Sequence, residues 1–167
     1  MLVNGQTYRS IWFDAEAQLV KIIDQTLLPH RFEIRAIDSV DAMTEAISAM
    51  RVRGAPLIGV AAAFGLYLAL RDNADELELR GTQLLGTRPT AVNLAWSMKG
   101  AMDRLQPLPM GERSEAALRY AMKLADADVA TCEAIGIHGC GLLENLWQAK
   151  GAGPEPLQIL THCNAGW

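Results

Sequence analysis

The apolar positions along this chain change period several times, and each change predicts an element. Residues 6–13, 18–24 and 31–37 are short stretches rich in Val, Ile, Tyr and Phe with partial alternation, separated by Asp14-Ala15-Glu16 and Leu28-Pro29-His30. Alternation at period two between turn-forming residues predicts a three-stranded antiparallel meander. From Asp38 the period lengthens. Val40, Met43, Ala46, Ile47 and Met50 share one helical face, and Asp38 or Ser39 is placed to cap that helix. Pro56 marks the first turn of a second helix reaching about Arg71, because a proline there gives up an N–H that has no helical partner anyway. Residues 74–85 and 91–105 read as two more helices, the latter opened by Pro89-Thr90 and stopped before Pro107. Residues 111–149 form a long helical pattern. Its glycines, Gly136, Gly139 and Gly141, each weaken a helix by roughly 1 kcal/mol relative to Ala, so a break or a close helix crossing is expected there.

Gly151-Ala152-Gly153-Pro154-Glu155-Pro156 is the one stretch with linker composition. Leu157-Gln158-Ile159-Leu160 beyond it is a compact apolar run of the kind that begins a parallel sheet, and residues 161–167 read as the loop at its carboxyl end, where open α/β sheets place their ligands. A lone parallel strand does not make a stable sheet. The expected organisation is therefore a mainly α domain with an N-terminal antiparallel β-meander over residues 1–150, a linker over 151–156, and over 157–167 the first strand of a second domain whose remainder lies beyond this chain.

Composition narrows the function classes. Half of the 167 residues are apolar, enough for one domain with a sizeable core. The net charge of -4 leaves no broad basic field for nucleic acid or anionic lipid, so any anion site must be local. The first six residues lack the basic head and apolar stretch of a secretory signal, so an intracellular, cytoplasmic location is expected. The apolar run 57–70 is about fourteen residues long, short of the roughly twenty that cross a bilayer, and is expected to be a buried core helix and not a membrane span. Cys132, Cys140 and Cys163 are odd in number and lack CxxC spacing, against both a disulfide framework and a structural zinc site. Cys132 and Cys140 are expected to be small packing residues.

Three segments have the makings of chemistry. In Arg51-Val52-Arg53-Gly54-Ala55-Pro56 a guanidinium, a glycine that admits close approach and a helix N-terminus with unpaired N–H groups stand together, as a phosphate dianion requires. A plain helix junction with two solvated arginines fits the same residues. Gly86-Thr87-Arg88-Pro89-Thr90-Ala91-Val92-Asn93-Leu94 repeats the idea, with Arg88 just before a proline that opens a helix. If the two helix starts converge, both arginines serve one phosphate; if not, Arg88 is a surface charge. In Thr161-His162-Cys163-Asn164-Ala165-Gly166 a thiol follows an apolar strand in a turn of small residues, where neighbours can tune its proton affinity. A bland strand-end cysteine would have the same sequence, and adjacent side chains on extended backbone point apart, so His162 and Cys163 need not touch.

In this order and spacing the three segments resemble methylthioribose-1-phosphate isomerase, within the superfamily that includes ribose-1,5-bisphosphate isomerases and the regulatory subunits of translation initiation factor 2B. The resemblance implies a helical front domain and a Rossmann-like α/β rear domain truncated after its first strand. It implies an aldose–ketose interconversion of 5-methylthioribose 1-phosphate to 5-methylthioribulose 1-phosphate in methionine salvage, with no metal or organic cofactor. The anomeric oxygen of that sugar carries the phosphate, so ring opening needs acid assistance. By resemblance Cys163 is catalytic together with an aspartate of the rear domain, and Arg53, Gly54, Ala55 and Arg88 hold the phosphate. Because that aspartate would lie beyond Trp167, the chain alone is expected to be inactive. A homodimer is also implied, for which residues 61–70 and 116–130 are Ala-rich enough to supply a shared surface.

Overall fold

In the computed structural model, the described residues are 2–151, 153 and 155–162. The chain opens with a tight hairpin, β1 (Leu2–Val3) paired antiparallel with β2 (Gln6–Thr7). Asn4 and Gly5 form its turn at φ 50° and 79°, the positive values that a two-residue hairpin turn demands. The stretch 6–13 is thereby split. Gln6 and Thr7 pair backwards across the Asn-Gly turn, and the meander begins only at β3 (Ile11–Asp14), continuing through β4 (Leu19–Ile23) and β5 (Ile34–Ile37). All pairings are antiparallel with β4 central, Ile11 opposite Ile22 and Val20 opposite Ile37. At the β3–β4 turn the Asp14 carboxylate accepts the N–H groups of Glu16 and Ala17 at 3.1 and 3.0 Å and pairs with Lys21 at 2.5 Å.

Five helices follow. In α1 (Val40–Ser48) the Ser39 hydroxyl accepts the Ala42 N–H at 3.3 Å, and Val40, Met43, Ala46 and Ile47 are buried. Met50, placed on the same face by period, lies beyond the helix end at φ 57° and is exposed. Next come α2 (Ala55–Asp72), α3 (Leu77–Gly86), α4 (Val92–Leu105) and α5 (Met110–Ala149). Every residue of α2 from Ile58 to Leu70 is buried, because the helix packs against α1, α3 and α4 and meets the sheet, where Phe13 and Tyr67 stack edge-to-face at 5.5 Å. By length and composition α2 could cross a bilayer, but 72% of it is buried inside the protein. The run 61–70 is thus interior, and offers no surface to a second copy.

Contacts divide the chain into Met1–Ala125 and Asp126–Trp167, a boundary that falls within α5. Before it, α5 buries Ala117, Ala121 and Ala125, spaced four apart on one face. After it, the pattern changes and two expectations fail. The helix runs unbroken through Gly136, Gly139 and Gly141, and a Cβ at any of them would meet no heavy atom within 4 Å, so these glycines mark neither a break nor a crossing. Cys132 and Cys140 are exposed and not packed, since α5 buries nothing beyond Ala125. Leu157 to His162 carry no regular secondary structure, as a strand with no described neighbour to pair with must.

Candidate functional site

The loop between α1 and α2 treats its two arginines in opposite ways. Arg51 is turned inward and fully engaged. Its Nη2 and Nε donate to the two carboxylate oxygens of Glu45 at 2.9 and 3.0 Å, and its Nη1 donates to Asp24 Oδ2 at 2.7 Å. Its backbone is held as well, the N–H by Ala46 O at 2.9 Å and the carbonyl by the Gln25 N–H at 2.9 Å. Asp24 is fully buried, and accepts further hydrogen bonds from Arg35 Nε at 2.5 Å and from the Thr26 hydroxyl and N–H at 2.6 and 3.0 Å. Burial raises its proton affinity, but the Thr26, Arg51 and Arg35 hydrogen bonds outweigh burial and hold the pKa at about 2. Hydrogen bonds from Arg51 likewise hold the Glu45 carboxyl below its ordinary value, and the two carboxylates raise that of Arg51.

The next residues face outward. Val52 is buried, Arg53 is exposed, and Gly54 caps α2 at φ 98°, backbone that a side chain would strain. No side chain caps the helix. The N–H groups of Ala55 and Leu57 have no helical carbonyl before them to bond, and Pro56 between them has no N–H to satisfy.

The start of α4 has the same character. Its first turn follows the loop carrying Arg88, where the Arg88 carbonyl accepts the Ala91 N–H at 3.0 Å, and again no side chain caps it. The two helix starts meet. A Cβ at Gly59, in the second turn of α2, would lie 2.8 Å from Asn93 O and 3.1 Å from Ser97 Cβ, and Ser97 Oγ donates to Gly59 O at 2.8 Å. Only a glycine lets the first turn of α4 come this close. Two uncapped positive helix ends are therefore side by side, each preceded by an arginine. Among the described residues Arg53 and Arg88 are the arginines whose side chains make no hydrogen bond or ion pair, whereas the Arg51 side chain makes several. An uncapped helix start beside an unneutralised guanidinium suits a dianion.

Arg53, Gly54, Ala55 and the Arg88 loop thus fall at two contacting helix starts. Cys163 lies outside the described residues, and His162 before it is exposed. Tyr8 and Trp12 are half-buried and form an aromatic cluster with Phe32, Tyr8 and Phe32 having centroids 5.0 Å apart. No group of three or more His, Cys, Asp or Glu side chains that would hold a metal ion occurs among the described residues. Sequence reasoning missed the Asp24–Arg51–Glu45 cluster. The one local signal for it is Asp24-Gln25-Thr26 directly after a strand, the pattern of an aspartate bonding the backbone two residues on.

Comparison with known proteins adds the following. The Initiation factor 2 subunit family model matches residues 51–167. Methylthioribose-1-phosphate isomerase of Methylocella silvestris is 48% identical, over 100% of this chain and 46% of that protein. Among solved structures, translation initiation factor eIF-2B subunit delta from A. fulgidus superimposes with a TM-score of 0.68 at 36% identity, over 74% of this chain and 38% of that one. The 5-methylthioribose 1-phosphate isomerase from Pyrococcus horikoshii OT3 does so with a TM-score of 0.66 at 34% identity, over 74% and 37%. The chain spans just under half the length of the isomerase relative from Methylocella silvestris.

Proposed function

This chain belongs to the initiation factor 2 subunit family, and from that premise we propose that it supplies the phosphate-binding part of an aldose–ketose isomerase acting on 5-methylthioribose 1-phosphate in methionine salvage. The observation that carries this is the pair of arginines without protein partners, Arg53 and Arg88, before two uncapped helix starts in contact at Gly59 and Asn93. The phosphate accepts from both guanidiniums and from backbone N–H groups at Gly54 and Ala55, Gly54 having no Cβ to keep the ligand away. Cys163 moves a proton at, or stabilises charge on, the carbon next to the anomeric centre, together with an aspartate from a Rossmann-like domain that begins at residues 157–167 after the 151–156 linker. Residues 1–150 are the front domain. The protein works without metal or organic cofactor, as a cytoplasmic homodimer, with a small sugar phosphate and neither nucleic acid nor membrane as its partner.

The test is turnover of 5-methylthioribose 1-phosphate by the protein containing this chain. Arg53→Ala should weaken substrate binding by roughly 1.5–3 kcal/mol, the worth of a charged hydrogen bond. Cys163→Ser should cut kcat severely with folding intact; near-normal turnover sinks the catalytic assignment.

The likeness to eIF-2B subunit delta favours a second reading, a regulatory module that binds a sugar phosphate or nucleotide without converting it, since one fold carries both roles. Binding of 5-methylthioribose 1-phosphate with no turnover selects that module. Faster turnover of ribose 1,5-bisphosphate selects the related isomerase.

A further inference from the structure

The phosphate loop has no partner for Arg53, yet it is fixed more firmly than a surface loop needs to be, and the fixing comes from one buried group. Asp24 is fully buried beyond the end of β4, Arg51 reaches it from the loop at 2.7 Å, and Arg35 reaches it from β5 at 2.5 Å. Glu45 of α1 holds the other edge of the same Arg51 guanidinium at 2.9 and 3.0 Å. The fork geometry of a guanidinium makes this a directional clamp, because both edges are specified at once. Backbone bonds finish it: the Gln25 N–H, adjacent to Asp24, donates to Arg51 O at 2.9 Å, and the Arg51 and Val52 N–H groups both go to Ala46 O, at 2.9 and 3.4 Å. With Arg51 gripped and Val52 buried, the chain has little freedom left at Arg53 and Gly54 before α2 begins.

We propose that Asp24 is a positioning residue for phosphate recognition: through Arg51 it sets the conformation of residues 51–54, and so the place from which Arg53 and the Gly54-Ala55 backbone meet the ligand. The proposal rests on the phosphate-site reading above. Asp24 itself does not touch the ligand; it holds the loop that does. A loop set in advance binds more tightly than one that must be ordered on binding.

The experiment is a double-mutant cycle on the dissociation constant for 5-methylthioribose 1-phosphate, measured on the protein containing this chain well below its unfolding temperature. Wild type, Arg53→Ala, Asp24→Asn and the double variant are compared. Arg53→Ala alone tests the underlying reading, and an unchanged dissociation constant there removes the site on which the proposal stands. Given that loss, Asp24→Asn should weaken binding roughly tenfold, as small displacements of a binding group do. The double variant should lose clearly less than the two single losses summed, since part of what a misplaced loop loses is the Arg53 contact already removed, while the Gly54-Ala55 backbone contacts remain to be lost. A folded Asp24→Asn with unchanged affinity overturns the proposal. So does a loss that adds in full to that of Arg53→Ala, which would mark a general structural role. If Asp24→Asn does not fold, Glu45→Gln takes its place: it leaves the Asp24–Arg51 pair intact, and its smaller loss must likewise shrink in the Arg53→Ala background, a fully additive loss overturning the proposal.

Discussion

At the scale of single residues, Asp24 is where charge and burial meet most sharply. Its folded pKa of about 2 lies below the ordinary value of 3.8, so the folded state binds this proton more weakly than the unfolded chain. Its contribution to stability is fully present above about pH 4 and is lost as pH falls through 2, about 2 kcal/mol in all. The expected outcome in urea unfolding is that wild type exceeds Asp24→Asn by at least this amount at pH 7, and that the gap has largely closed near pH 2. A gap that stays constant from pH 7 to pH 2 would show that the carboxylate is not what the Arg35 and Arg51 guanidiniums require. Residue identity alone did not separate the two arginines of the loop. Arg51 and Arg53 are the same side chain two positions apart, and which one is spent inside depends on Asp24 and Glu45, which are distant in sequence.

At the scale of elements, most of the helices and the meander were legible, because each is a periodic apolar face between turn residues. The Ser39 cap and the Pro56 helix start are local signals that the fold keeps. The first strand was misjudged because the Asn4-Gly5 turn competes for Gln6 and Thr7. Glycines were read in the wrong place. Those in close contact with another helix include Gly59 of α2, which meets Asn93 O, and Gly100 of α4, which meets Tyr120, and not 136, 139 or 141. Sequence distance hides which glycine faces another helix. The two kinds of site should respond oppositely to substitution. Gly59→Ala must push α4 from α2, because its Cβ meets a backbone carbonyl that cannot rotate away, and should cost about 1–3 kcal/mol as overpacking does. Gly136→Ala meets open space and should stabilise the helix by up to roughly 1 kcal/mol. A thermal melt checks the loss at Gly59, the helical content by circular dichroism checks the gain at Gly136, and a Gly59→Ala melt equal to wild type would contradict the packing at Gly59.

At the scale of the whole molecule, burial is concentrated in Met1–Ala125. Arg53 and Arg88 were legible as motif residues before helix starts, and the contact between those helices became visible only once α2 and α4 were packed; Cys163 lies outside the described residues. The concentration of burial has a thermodynamic consequence. Residues 58–70 of α2 are enclosed by the sheet and three helices, so their amides exchange only when the unit opens as a whole. The part of α5 beyond Ala125 has no buried side chain, exposes Ile135, Ile137, Leu142 and Leu146, and contains three glycines. An unsupported helix of this length is marginal in water. In hydrogen exchange on the 167-residue chain, protection should therefore be greatest across 58–70 and fall steeply after Ala125, with residues 130–149 opening at free energies near zero. Strong protection over 130–149 would mean that its apolar side chains are covered in solution. Repeating the measurement over a range of protein concentrations then identifies the cover: protection that grows with concentration belongs to association of chains, and protection that does not belongs to the fold of the chain itself.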